Sequence, residues 1–404
     1  MTLTTRRAAA DPARPQRDAV YPLTIATFEL WSPSETFIRQ HFERICPRGT
    51  AAIYFSQEDP SNLKVPSLQV RRTNLSHLPL VHRRLIRIQN LVFSGYSKAL
   101  DTDETERIAR FLSEHRVQRV LAEYGPTGCL LAPACRKARV PLSVHFHGWD
   151  ASFALRRWVT RCEYRILARQ ATHLICPSRF LAENLAQAGL PRSKLEVIPC
   201  GVDTDAFKPS ATVDAQLVLA VGRLVPKKGP DLTLRAFAQI AERHPHARLE
   251  FVGDGPLREE CQSLIKNLGL HGRVLLHGAT SHEFVRQQVS RAAVFLQHSL
   301  TDADGATEGL PVSILEAMAS GVAVVSTSHA GIPEAVEHGR TGLLVPEGDV
   351  SGMACALDRL LSDPEQRRTM GRRARDRIVR HFSAADQIER LRQLLFHTSA
   401  PKSR

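Results

Sequence analysis

The stretch LVLAVGRLVPKKGPDLTLRAF (217–237) holds the fold in small. A run of apolar residues ends at Gly222. A basic turn with Arg223, Lys227 and Lys228 follows, and Gly229 then stands where a helix starts. Strand, tight turn, helix is one βα unit, and a chain that repeats it builds a parallel sheet with crossover helices. Working outward, the same unit recurs. LTIATF (23–28), AAIYF (51–55), VQRVLAE (117–123), PLSVHFH (141–147), THLICP (172–177) and LEVIP (195–199) read as strands in the first half. RLEFVG (248–253), RVLLHG (273–278), AVFLQ (293–297), VAVVST (322–327) and GLLVP (342–346) continue the second series. The turn-rich IPCGVDTDAFKPSATVD (198–214) separates the two series and reads as a linker. The expectation is an α/β fold of two Rossmann-like β/α/β domains, 21–205 and 206–380, facing each other across a cleft. A basic tail (1–20) precedes them. In the final segment (381–404), residues 381–396 form an amphipathic helix with Ile388, Leu391, Leu394 and Leu395 on one side, capping its own domain or crossing back to the other.

Bulk composition agrees with two globular domains. The chain has 404 residues, 43% hydrophobic and 24% charged, and no uninterrupted apolar run long enough for a membrane helix. Its N-terminus has two arginines but no apolar stretch behind them, so no signal peptide is expected. The eight cysteines include no C-x-x-C pair and read as thiols of a reducing compartment, which gives a cytoplasmic expectation. The net charge of +13 is concentrated up to residue 205, with about 29 Lys+Arg against about 19 Asp+Glu. A solvated basic face, an anionic lipid or a phosphate-bearing substrate would each suit it. No nucleic-acid-binding signature accompanies the charge, so no nucleic-acid partner is expected.

In open α/β sheets ligands sit beyond the carboxyl ends of the strands. Four such places carry candidate residues. Arg223 and Lys228 leave a strand at Gly222 just before a helix starts, a set that fits a diphosphate and also describes an ordinary basic turn. Gly253, Asp254 and Gly255 form a tight turn after the next strand. In EGLPVSILEAMASG (308–321), Gly309 and Pro311 keep Glu308 off the helix while Glu316 lies on its second turn. The helix N-terminus between the two carboxylates would face an anion, and each carboxylate would accept hydrogen bonds from hydroxyls, the outline of a nucleotide-sugar. Finally, SVHFHGWD (143–150) ends a strand with His145 and His147 on one face and Asp150 beyond, either structural or at the mouth of a cleft.

These four stretches, with the segment 303–349 as a whole, resemble the retaining family 4 glycosyltransferases of GT-B fold. SETFI (34–38) and ADGATEGLP (303–311) further resemble the branch that builds bacterial exopolysaccharides, including colanic-acid-type enzymes. The resemblance implies an acceptor-binding first domain and a nucleotide-sugar-binding second one. It implies that Arg223 and Lys228 hold the donor diphosphate, Glu316 the ribose, Glu308 the donor sugar and His147 a hydroxyl near the reacting carbon. Gly222, Gly253, Asp254, His277, Gly278, Gly309, Leu310 and Pro311 complete the donor set, with backbone near His277 and Gly278 beside the base. Ser34, Glu35 and Asp150 are the acceptor-side candidates. Glu35 has a rival reading, because Ser32-x-x-Glu35 with Pro33 has capping-box spacing. The chain departs from the family pattern at FELWSPSETF (28–37), where a Gly-Gly loop is frequent, and at Cys200, where asparagine is.

The implied reaction is transfer of a hexose from a nucleotide diphosphate sugar to a saccharide or polyprenyl-diphosphate-linked saccharide, with retention, in exopolysaccharide synthesis. A GT-B epimerase or phosphorylase, or a non-catalytic sugar-nucleotide-binding protein, are the alternatives. Asp302-Ala-Asp304 has the spacing of a manganese motif from another fold, but Arg223 and Lys228 supply the positive charge a metal would bring, so neither metal nor cofactor is expected. In LPLVHRRLIRIQNLVF (78–93), Arg83, Arg84 and Arg87 beside Leu80, Leu85, Ile86 and Ile88 fit a peripheral contact with anionic lipid at the inner face of the cytoplasmic membrane, or an ordinary surface helix.

Overall fold

The computed structural model describes residues 20–30, 35–56, 65–70, 79, 81–82, 85, 95–97 and 99–397. Ser34 and most of the basic stretch 78–93 lie outside them. Among the described residues there are two wholly parallel sheets. The first contains β1 (Leu23–Thr27), β2 (Thr50–Tyr54), β3 (Ser67–Gln69), β4 (Arg119–Glu123), β5 (Leu142–His145), β6 (His173–Cys176) and β7 (Leu195–Val197), in the order β3-β2-β1-β4-β5-β6-β7. The second contains β8 (Asp214–Val221), β9 (Arg248–Val252), β10 (Val274–Leu276), β11 (Ala292–Leu296), β12 (Ala323–Thr327) and β13 (Gly342–Val345), in the order β10-β9-β8-β11-β12-β13. Every residue of β1, β2, β11 and β12 is buried, because helices cover both faces. That is why these strands read as unbroken apolar runs rather than alternating ones. The strand that sequence reading missed, β3, is a three-residue edge strand, Ser67-Leu68-Gln69, with no apolar run to announce it.

The chain passes between the domains twice, and the two passes are bonded to each other. Val202 donates its N–H to the Phe382 carbonyl (2.9 Å), and Ala384 donates to the Val202 carbonyl (2.8 Å). Gly201 permits this approach: at φ +72° any Cβ would stand 2.8 Å from the Ala384 Cα. The final helix starts at Ala384, not at 381. Ser383 caps it through the Asp386 N–H, while residues up to His381 belong to the preceding helix, Pro364–His381. The last helix lays Ile388, Leu391 and Leu395 on Leu23, Ile25 and Leu121 of the first domain, with Leu394 partly buried beside them. Arg119 reinforces the docking by donating from Nε to the Leu395 carbonyl (2.7 Å).

The carboxyl ends of the two sheets meet. Gly148, after β5, sits so close to the loop before Val312–Ala319 that a Cβ would fall 2.8 Å from the Thr307 carbonyl and 3.0 Å from the Gly309 nitrogen. Around this point Thr307 donates to the Ser152 hydroxyl (3.2 Å) and Arg156 reaches the Asp304 carbonyl. Glu334 of the second domain receives the N–H groups of Arg179 (2.9 Å) and Phe180 (3.0 Å), the first turn of helix Arg179–Gln187 in the first domain. A carboxylate at that position satisfies orphan donors and complements the helix dipole.

Candidate active site

The second-domain wall is built from the ends of β8 and β9 and the loop before helix Val312–Ala319. Gly253 follows β9 at φ +137°, and a Cβ there would lie 2.1 Å from the Gly222 carbonyl oxygen. The GDG turn thus lets the two strand ends close together, while Gly253 also donates to the Gly278 carbonyl (2.9 Å). Asp254 is exposed, accepts from the Gly255 N–H (2.8 Å) and pairs with Arg258 (3.5 Å). His277 sends its side chain back to Glu250 (2.7 Å).

After Gly222 the chain makes one 3-10 turn, Pro226–Lys228, ended by Gly229 at φ +50°. A Cβ on Gly229 would stand 2.2 Å from the His298 carbonyl, so the turn is locked against the segment that follows β11. Its consequence is to aim two ammonium groups at one carboxylate. Lys228 Nζ lies 3.2 Å and Lys227 Nζ 3.6 Å from the two oxygens of Glu308. Burial pulls Lys228 below its ordinary value, with Glu308 opposing and Lys227 reinforcing the fall. Burial also works against the Glu308 charge, yet Lys228 and Lys227 outweigh it and hold that carboxyl below its usual range. Glu316 also acts on Lys228, so two lysines and two carboxylates share this wall. Arg223 is exposed, lines the same cavity as Lys228 and has no ion pair among the described residues. Alongside stands the start of helix Val312–Ala319, where Pro311 occupies the capping position and offers no side-chain bond. Leu310 and Pro311 are buried under the loop.

Glu316, on the second turn of that helix, is buried and bonded through Oε1 to His282 Nε2 (3.2 Å). The Glu308 backbone is fixed by a residue that sequence reading missed. His329 Nε2 accepts the Glu308 N–H (3.1 Å), so its proton sits on Nδ1, which faces Glu347 (2.6 Å).

The first-domain wall centres on Glu123, at the end of β4 and fully buried. His41 Nδ1 approaches one oxygen (2.7 Å) and His147 Nε2 the other (2.9 Å), with His145 Nδ1 at 3.6 Å. Burial alone would neutralise this carboxylate, but His41 and His147 reverse the effect and keep it well below the usual range. Reciprocally, His147 is pushed up against its own burial by Cys200 and Glu123. With Nε2 committed to Glu123, Cys200 is the second side chain bonded to this ring. Asp150, expected on the acceptor side, is fully buried. Its two oxygens receive the N–H groups of His147 (2.7 Å) and Gly125 (2.8 Å), so it shapes the loop beneath His147. The capping reading of Glu35 also changes. Glu35 stands at the capping position of helix Thr36–Arg44 without a side-chain cap bond, and its carboxylate instead accepts from the Tyr124 hydroxyl (2.5 Å).

Among the described residues, two groups of metal-type side chains converge, His145–His147–Cys200 and His41–Glu123–His145, both on this wall. The Asp302–Asp304 pair is in neither, and Asp302 Oδ1 is occupied by the Ala306 N–H (2.8 Å).

Residues 35–206 match the family described as Glycosyltransferase Family 4, and residues 201–377 match Glycosyl transferases group 1. A GDP-mannose-dependent alpha-(1-6)-phosphatidylinositol monomannoside mannosyltransferase of Mycolicibacterium smegmatis is 32% identical over 306 residues, 72% of this chain and 79% of that one. The chain is a family 4 glycosyltransferase. A second relative of this glycosyltransferase is the putative colanic acid biosynthesis glycosyltransferase WcaL of Escherichia coli, 33% identical over 276 residues, 66% of this chain and 68% of the other. Its GT-B fold is matched by the crystal structure of Anabaena Alr3699/HepE in complex with UDP and glucose, with a TM-score of 0.74 at 20% identity, covering 92% and 98% of the two chains. Of the residues expected in the site of this glycosyltransferase, Lys228 and Glu308 touch, and Gly222, Gly253 and Gly278 form one packed edge. Lys227, His329, Glu123, His41 and Tyr124 join them. Lys227 was visible beside Lys228. The others had no local signal, since their partners lie 21 to 89 residues away.

Proposed function

We propose that this glycosyltransferase moves a hexose from a nucleotide diphosphate sugar to a hydroxyl of a saccharide or polyprenyl-diphosphate-linked saccharide, with retention at the anomeric carbon, in exopolysaccharide assembly. The observation that carries the reading is the convergence of two ammonium groups, Lys227 and Lys228, on Glu308 beside a helix start with no side-chain cap. Paired ammonium groups of this kind are complementary to a diphosphate, and most so to one gaining charge as it departs. Glu308 then takes a hydroxyl of the donor sugar, Glu316 the ribose, and backbone at His277 and Gly278 adjoins the base. His147 meets a hydroxyl near the reacting carbon. The bond from the anomeric carbon to the phosphate oxygen breaks, the acceptor oxygen bonds to that carbon on the same face, and the acceptor proton passes to the departing phosphate oxygen. No protein nucleophile is needed, and lysine and arginine do the work of a metal. The relatives named for colanic acid and for mannose transfer support a saccharide product, and the HepE complex supports a UDP-type donor.

The test is incubation with a panel of UDP- and GDP-sugars, with and without chelator, reading released nucleoside diphosphate and the anomeric configuration of the product by NMR. Chelator-insensitive release with an α-linked product from an α-linked donor is expected. An inverted product, or release abolished by chelator, would refute those parts of the reading.

A peripheral membrane contact on the cytoplasmic side belongs to the same proposal. No helix among the described residues is long and apolar enough to cross a membrane. Trp158 and Trp149 expose 62% and 48% of their surface, with exposed Arg156 and Arg157 beside Trp158, and Val81 and Leu85 are exposed as well. Tryptophan with arginine suits the headgroup layer of an anionic bilayer. Flotation with phosphatidylserine vesicles but not with phosphatidylcholine vesicles is the expected result, and absence from both would end the idea.

A further inference from the structure

Donor chemistry leaves one polar pair in the crevice unused. We propose that Glu35 and Tyr124 form the acceptor seat, a pair of hydrogen-bond acceptors that takes two neighbouring hydroxyls of a saccharide. The inference rests on the transferase reading above and adds to it where the second substrate binds.

Tyr124 follows β4, at the sheet end where ligands sit, and holds φ +72°, an unusual conformation for a bulky aromatic residue. Its surroundings enforce it. Tyr124 donates its N–H to the His145 carbonyl (2.8 Å), the next N–H goes to Asp150, and a Cβ on Gly125 would lie 2.5 Å from the Phe146 ring. The turn sends the phenol across the wall to Glu35, 89 residues away in the chain. Glu35 stands at the start of helix Thr36–Arg44 and makes no side-chain cap bond to it. A helix-start glutamate and a tyrosine at positive φ thus meet in one contact.

The pair has a definite chemistry. The tyrosine hydroxyl spends its only proton on Glu35, so what remains is the free lone pairs of the carboxylate and of the phenol oxygen. Such a seat accepts hydrogen bonds and repels anions. It fits the hydroxyls of a neutral sugar and rejects phosphate, the reverse of the lysine side of the cleft. Its location also fits. The rings of Phe37 and Tyr124 lie 4.5 Å and 4.6 Å from the His147 ring. Tyr124 packs on Phe37, Ile38 and Cys200 together with Val312, the first residue of the helix that faces the donor.

The experiment uses the full chain, a nucleotide sugar from the donor panel that it hydrolyses in water, and methyl α- and β-glycosides of glucose, galactose and mannose as acceptor probes. Glu35→Gln and Tyr124→Phe preserve size. Wild type is expected to form glycoside. In both variants the acceptor KM should rise about tenfold or more, the scale of a lost charge-assisted hydrogen bond, and by a larger factor than donor KM or donor hydrolysis changes. An unchanged acceptor KM in either folded variant overturns the assignment. So does hydrolysis falling in step with glycoside formation, which marks a mere structural tie, and so does a wild type that hydrolyses donor but glycosylates none of the probes. Absence of nucleotide release from every donor would instead bring down the transferase reading, and the seat with it.

Discussion

At the scale of single residues the cleft is a set of charges whose partners decide their roles. Lys228 combines burial, a 3.2 Å contact with Glu308 and a turn fixed by Gly229, so its ammonium is held in place for the diphosphate role proposed above. Lys228→Ala is expected to lower kcat by about 10²-fold or more, as other lost transition-state donors do, measured at saturating donor. Arg223→Ala, at the exposed rim, should have a smaller effect on kcat and a larger one on donor KM. His147 makes a prediction about pH. Its folded value is raised to about 10, so the stabilisation it provides is fully present below its ordinary value and is lost as pH rises through the folded one. The gap in melting temperature between wild type and His147→Gln should therefore be widest near pH 6 and should shrink steadily toward pH 10. Glu123, held low, works in the opposite direction, and its contribution disappears only in strong acid.

At the scale of elements, strand ends are brought together by missing side chains and the two domains by a helix cap. Gly253 and Gly269 both have positive φ, but a Cβ on Gly253 collides with the Gly222 carbonyl, while one on Gly269 meets nothing within 4 Å. Both alanine variants bear the backbone strain and only Gly253→Ala bears the collision. Gly253→Ala should therefore melt well below Gly269→Ala, by about 2–4 °C for each extra kcal/mol, as calorimetry would show. Glu334 caps a helix of the opposite domain through the N–H groups of Arg179 and Phe180. Glu334→Ala should cost about 1 kcal/mol in denaturant unfolding and make the chain between 179 and 187 easier for a protease to cut.

At the scale of the whole molecule, the last helix binds what the linker separates. Ile388, Leu391 and Leu395 are buried on the first sheet, and side chains of this kind contribute about 1.5–3 kcal/mol each when fully buried. Three of them approach the entire stability of a domain, about 5–15 kcal/mol. A chain ending at Ser383 should be aggregated or lack cooperative unfolding by circular dichroism, and a folded, active truncation would show that the docking is dispensable. Much of this architecture was legible in the sequence. Twelve apolar runs fell on twelve strands, most plainly where a strand is covered on both faces and so apolar along its length, and the edge strand Ser67–Gln69, with a single apolar residue, escaped notice. The glycines at 222, 229 and 253 and the Glu308–Glu316 segment were equally plain, since turns and helix starts are set by residues next to one another. What remained hidden was every pairing of distant polar groups: His41 and His147 on Glu123, Tyr124 on Glu35, His329 beneath Glu308. Sequence by itself determined the parallel sheets and the family, because periodicity and short motifs report local backbone geometry. Only the tertiary structure decided which carboxylate is shared, which is buried beneath a loop and which faces the crevice, because a charge takes its role from neighbours that packing, not chain order, puts beside it.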